Sequence, residues 1–151
     1  MKIKRLTAKE LPEAQRLCQD VFLEFEAPEY PKEGTQSFLE FLNLQQLNRM
    51  LVCDLLRFWG VYENSILIGV GALREQKHIS LLFVKKEYQR RGVASFLMQA
   101  MLNECCKANI STVTVNASPY GIPFYLAIGF NPLSEEQCQN GIRFIPMERT
   151  L

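Results

Sequence analysis

The sequence has a single histidine, His78, and five cysteines, none of them paired in a CxxC spacing. Zinc sites of the Cys/His type are excluded on that ground. The odd cysteine count, with Cys105 and Cys106 adjacent in a helical pattern, predicts reduced thiols in a reducing compartment. Charge of one sign is also missing. Seventeen Lys and Arg face sixteen Asp and Glu, a net charge of +1, so nothing global draws the chain to nucleic acid or to anionic lipid. No apolar run approaches the roughly 18 residues of a membrane span. The opening MKIKRLTAKEL lacks the apolar stretch of a signal peptide. Internal repeats and long Gly/Ser/Pro linkers are absent as well. These gaps predict a soluble, cytoplasmic protein with no nucleic-acid or membrane partner.

What is present suits one domain over residues 1–151, with 48% hydrophobic and 22% charged residues. KIKRL at 2–6 alternates as a short strand. Thr7 and Glu10 have the spacing of a capping box ahead of a helix over 8–26, where Leu11, Leu17, Cys18, Val21, Phe22 and Phe25 share a face. Pro28, Pro31 and Gly34 end it. A second helix is expected over 35–42, and 43–55 reads equally as helix or loop. Strands follow at 57–63, 66–74 and 78–84, the first two joined by a tight turn at Glu63-Asn64-Ser65. A helix from Gly92 to about Ala108 precedes a β-branched strand at 111–115. Ser118-Pro119 should cap a short helix over 119–128 that stops at Gly129. Phe130 and 142–147 supply the last strands. The order describes an α+β domain with a mixed, mostly antiparallel sheet and helices on both faces.

Chemistry concentrates in LLFVKKEYQRRGVASFL, residues 81–97. A buried strand runs into a basic loop, and Gly92 opens a helix. Helix N-termini present unpaired N–H groups and positive partial charge, which bind phosphate without a cationic side chain. Gly92 and Ala94 keep the approach clear, and Arg90 and Arg91 add charge at the mouth. The pattern fits a pyrophosphate cradle. A surface loop with solvated cations would produce the same spacing.

Gln89-x-x-Gly92-x-Ala94, preceded by Glu87-Tyr88 and a strand ending at Val84, resembles the cofactor motif of the GNAT acyltransferase superfamily. NASPYGIPFYLAIGF at 116–130 resembles that family's second block, ending Phe-Tyr-x-x-x-Gly-Phe. Two blocks in order are more specific than either alone. The resemblance implies a GNAT-like sheet with a splayed strand pair forming a slot for CoA. It implies that Leu82, Phe83 and Val84 pair with the pantetheine arm through their backbone. Amides from Arg90 through Arg91, Gly92, Val93 and Ala94 to Ser95 would hold the pyrophosphate. Asn116 or Ser118 would contact the cofactor. Tyr125 matches the position that protonates the departing thiolate, and its phenol stays protonated at neutral pH. The implied activity is transfer of acetyl from acetyl-CoA to a primary amine of a small molecule or peptide by direct attack, with a homodimer as one possible assembly.

Here the sequence departs from many relatives. The strand 78–84 carries no carboxylate to accept the amine proton, and His78 stands at its start, away from the thioester. Glu24, Glu26 and Glu29, at the end of the first helix, are alternative bases. A solvated acidic helix end is the plainer reading of the same residues. The missing strand carboxylate also motivates a second hypothesis, a catalytically weak acyl-CoA sensor or interaction module. A third, a nucleic-acid factor using Lys85, Lys86, Arg90 and Arg91, runs against the neutral charge. Pro123 should shorten the last helix. Phe58, Trp59 and Tyr62 read as core.

Overall fold

The alternating N-terminal residues form β1 (Lys2–Arg5) in a computed structural model that describes residues 1–151. Glu10 then reaches back to Thr7. Its carboxylate accepts from the Thr7 backbone N–H and, at 2.9 Å, from the Thr7 hydroxyl. This is half a capping box displaced by one turn, so α1 starts later than expected and spans Leu11–Phe25. A single 3₁₀ turn over Ala27–Glu29 follows. Helix α2 occupies Lys32–Phe41, three residues earlier than its apolar pattern suggested. The ambiguous stretch resolves into α3, Leu44–Val52, capped by the Asn43 side chain accepting from Gln46 N–H.

Three consecutive antiparallel strands follow: β2 (Leu56–Glu63), β3 (Ile66–Arg74) and β4 (His78–Val84). The β2–β3 turn places Asn64 and Ser65 both at positive φ, the geometry that matches strand twist. Helix α4 (Val93–Lys107) lies on β3, where Gly69 and Gly71 leave room for Val93, Leu97 and Met101. Next come β5 (Thr112–Ala117), α5 (Ile122–Ala127), β6 (Asn131–Pro132), β7 (Gln137–Gln139) and β8 (Ile142–Thr150).

The sheet runs β1-β2-β3-β4-β5-β8-β6, with β7 paired to β8. Every pairing is antiparallel except β4 with β5. Two apolar cores flank it. Residues of α4 and α5 build one, with Trp59, Val61 and Val113 from the strands. Residues of α1, α2 and α3 pack with Phe58, Leu81 and Phe83 in the other. Phe58 and Trp59 are core, as expected, and Tyr62 is half-buried. The expected α+β sheet with helices on both faces is the observed architecture. The last helix differs. It begins at Ile122 rather than Pro119, because residues 118–121 form a turn in which Gly121 N–H reaches both the carbonyl (2.9 Å) and the hydroxyl (3.2 Å) of Ser118. Pro123 sits in the first turn of the shortened helix, where its missing N–H costs nothing. Gly129, at φ +95, ends it as expected. No helix is long and apolar enough to cross a membrane. All five cysteines are unpaired.

Candidate active site

Strands β4 and β5 pair only at His78↔Thr114 and Ile79↔Val115 and then part. A bulge in β4 at Ser80, where Ala72 faces Leu81 and Leu73 faces Ile79, turns the strand at the point of divergence. Beyond it, Leu82, Phe83 and Val84 keep β3 partners on one side and have no β5 partner on the other. Their outer edge is a row of unclaimed N–H and C=O groups, which an extended chain can join as an added strand. Ser80 Oγ is buried and without a partner at the apex of this opening.

The opening leads into a cavity of about 810 Å³. Its walls include Leu82, Phe83, Val84, Arg90, Gly92, Val93, Ala94, Ser95, Asn116, Ser118 and Tyr125, so the structure gathers all but one of the residues singled out from sequence. Arg91 is the exception. Its guanidinium lies over the Tyr88 ring, 5.4 Å from the centroid, off the cavity wall.

At the mouth, Gly92 caps α4 in the left-handed conformation, φ +82, with nothing within 4 Å of where a Cβ would stand. Arg90 is also left-handed, φ 62, so the loop curls around the helix start. No side chain caps α4. The amides of Val93, Ala94 and Ser95 belong to the first turn and have no intrahelical acceptor. Gln89 fixes the loop to the strand end by donating Nε2–H to Val84 O at 3.0 Å. The donor set, the clear approach at Gly92 and the free edge of β4 fit a diphosphate joined to an amide-bearing arm, the chemistry of CoA.

Two titratable groups face the same cavity deeper in. Tyr125 is 7% exposed, and its phenol is held well above its ordinary value, first by burial and then by the charge of Glu26. Glu26 lies just after α1. Desolvation pushes its carboxyl up to about 7, a hydrogen bond from Ser118 lowers it in part, and Glu29 raises it further. Of the three acids considered from sequence, Glu26 is the one on the cavity wall. Glu24 makes an exposed pair with Lys86 at 3.8 Å, and Glu29 is exposed. The plainer reading of a solvated acidic end describes its neighbours, whereas Glu26 is part-buried on the cavity wall. The difference has a local cause. Phe25 stacks on Tyr120, 5.3 Å between centroids, and docks the end of α1 against the β5–α5 loop that bears Ser118. No sequence pattern marked that contact.

His78 is half-buried at the apex of the cavity. Its Nδ1 lies 2.8 Å from Thr114 Oγ1, and burial, reinforced by Arg74, lowers its pKa to about 4. It is neutral at physiological pH and tied to β5.

Known proteins share this fold. A family model described as an acetyltransferase (GNAT) domain matches residues 26–151. The uncharacterized N-acetyltransferase YafP of Escherichia coli (strain K12) is 35% identical over 81 residues, 54% of this chain and 50% of that protein. The chain thus spans about half the length of this curated relative. Among solved structures, the PaiA N-acetyltransferase of Thermoplasma acidophilum in complex with coenzyme A superposes with a TM-score of 0.82 at 22% identity, covering 99% of this chain and 98% of that one. A GCN5-related N-acetyltransferase from Rhodopseudomonas palustris gives 0.83 at 15% identity, covering 99% and 95%.

Proposed function

The chain belongs to the GNAT acetyltransferase family, and from that premise we propose that it transfers acetyl from acetyl-CoA to a primary amine by direct attack, with Glu26 as general base and Tyr125 as general acid. The observation behind this reading is that a carboxyl raised to about 7 and a buried phenol line one cavity with the free edge of β4 and the amides at the start of α4.

Acetyl-CoA supplies an activated acyl group, so the protein has to provide position, charge stabilisation and two proton transfers. The amides of Gly92 through Ser95 hold the diphosphate, and Arg90 adds charge at the mouth. The edge of β4 from Leu82 to Val84 aligns the pantetheine arm, with Asn116 alongside. A backbone N–H near Phe83 or Val84 stabilises the oxygen as charge develops on it. Glu26 takes a proton from the amine, whose nitrogen attacks the carbonyl carbon. The C–N bond forms, the C–S bond breaks, and Tyr125 gives its proton to the departing sulfur. A base with a pKa near the working pH suits this task, because it is ionised in an appreciable fraction and still basic enough to accept. Ser118, expected from sequence to touch the cofactor, shares the cavity wall with Glu26, and its hydroxyl accepts from Gly121 N–H.

The sensor or interaction-module alternative rested on the missing carboxylate of β4, and Glu26, just after α1, lines the cavity as a carboxylate that fits that role. The free thiols fit a reducing, cytoplasmic setting. The deciding experiment is release of CoA thiol from acetyl-CoA over a panel of amines, beside calorimetric CoA binding. Amine-dependent release that collapses in Glu26→Gln and Tyr125→Phe supports transfer. Tight CoA binding without release on any amine overturns it.

A further inference from the structure

The inner end of the cavity narrows the choice of amine. Its walls there are Tyr30, Phe38, Phe41, Phe83, Ile142 and Phe144. Phe38 is stacked on Phe22 at 4.2 Å and tilted against Phe83 at 5.9 Å, so these rings form one continuous aromatic surface. Glu26 is the only carboxylate on the cavity wall, and the wall's cations, Arg74 and Arg90, belong to the ends of β3 and of the α4 loop.

Two segments on that side are also joined by a seam. Ser37 donates its hydroxyl proton to Asn140 O at 2.9 Å, Tyr30 to Arg143 O at 3.3 Å, and Arg143 Nη1–H to Glu29 O at 3.1 Å. Between these bonds the backbones of Gly34 and Gly141 touch so closely that neither position admits a Cβ. The segment 29–37 is thereby sewn to the start of β8, and residues of the seam, Tyr30, Asn140 and Ile142, line the cavity. A second ammonium there would lie among aromatic rings with no second carboxylate on the cavity wall to meet it, a placement that proteins avoid.

Resting on the transferase reading above, we propose that the acceptor is a short primary amine bearing an aromatic group, of the phenethylamine type. Its nitrogen sits by Glu26 and its ring lies among Phe38, Phe83 and Phe144. The panel is phenethylamine, spermidine and a lysine-containing pentapeptide, assayed for kcat/KM at saturating acetyl-CoA. Phenethylamine is expected to exceed both others by about tenfold or more, the scale on which burial of a ring separates substrates. In Phe41→Glu, which puts a second carboxylate at the inner end, the phenethylamine-to-spermidine ratio falls at least tenfold while CoA affinity stays unchanged. Spermidine or peptide matching phenethylamine overturns the aromatic assignment alone, as does a ratio unmoved in a variant that still binds CoA. Silence toward every amine, with CoA bound, overturns the transferase reading and this inference with it. The panel on the unaltered protein decides even if the variant does not fold.

Discussion

Tyr120 donates its hydroxyl proton to Gln89 Oε1 at 3.2 Å, and the same amide of Gln89 donates Nε2–H to Val84 O at 3.0 Å. One side chain thus joins the end of β4, the loop before α4 and the loop after β5, which are the three segments around the mouth of the slot. Replacing Gln89 by Ala removes both bonds. At about 0.5–1.5 kcal/mol for each ordinary hydrogen bond, acetyl-CoA should bind roughly 5- to 150-fold more weakly. Tyr120→Phe removes only the outer bond and should cost less. Calorimetric titration with CoA checks both, and equal losses would show that the strand anchor is not the important one.

Gly92 separates two effects that a single substitution usually mixes. Its Cβ would meet nothing, yet its φ of +82 disfavours any side chain. Gly92→Ala should therefore cost about 1–2 kcal/mol of stability, with a modest loss of CoA affinity. Gly92→Glu adds a carboxylate at the helix start and should abolish binding of the diphosphate, with a folded circular dichroism spectrum retained. Unchanged CoA affinity in the Glu variant would remove the phosphate assignment.

Tyr125→Phe keeps the ring that packs edge-on against Phe124 and Phe130, at 5.4 and 5.5 Å, and deletes only the hydroxyl. Stability should hold. Because burial keeps the phenol protonated throughout the assay range, the loss should fall on kcat, by about 10²-fold or more, and should not vary with pH up to pH 9 or so. A pure KM effect would make Tyr125 a wall of the pocket and not a proton donor.

These tests bear on residues of unequal legibility. The block 81–97 announced itself through a local pattern: an apolar strand, a basic loop and a glycine opening a helix. Leu82 to Val84, Arg90 and Gly92 to Ser95 line the cavity, with Arg91 turned aside onto Tyr88. Tyr125 was singled out through the resemblance of residues 116–130 to the family's second block, and Gly129 as the glycine that ends a short helix. Glu26 was only one of three acids, because its character comes from burial against the Ser118 loop, a contact between segments far apart in sequence. The late start of α5 was hidden by a Ser118 hydroxyl that caps a turn in place of the helix. The seam was invisible, since two lone glycines, Gly34 and Gly141, carry no periodicity.

The seam makes its own prediction. A Cβ on Gly34 would run into the Gly141 carbonyl, which is backbone and cannot swing away. Gly34→Ala should destabilise the protein by about 1–3 kcal/mol, as overpacking does. It should also raise KM for the amine more than KM for acetyl-CoA, because the inner end opens while the α4 cradle is untouched. Thermal melting and two-substrate kinetics read the two effects separately. A raised KM for acetyl-CoA alone would place the seam's influence on the wrong half of the cavity.

The pH response of Glu26 links mechanism to stability with opposite signs. Its carboxyl is pushed up from an ordinary value of 4.5 to about 7 in the fold, chiefly through desolvation. The folded state thus favours the protonated form. The stabilisation from this group is whole below the unfolded pKa and is lost as pH rises through about 7. Glu26→Gln resembles the protonated form, so it should melt like the wild type near pH 5 and above it near pH 8. Activity runs the other way. The wild-type rate needs the ionised carboxylate, so the ratio of wild-type to Glu26→Gln kcat/KM should climb through about pH 7 and then level at about 10²–10⁴. Taking the ratio cancels the titration of the amine itself. Ser118→Ala, which deletes the hydroxyl that lowers the Glu26 pKa, should move the midpoint to higher pH without changing the plateau much. A flat ratio, or a variant less stable than wild type near pH 8, would mean that the carboxylate serves the fold and another group takes the proton.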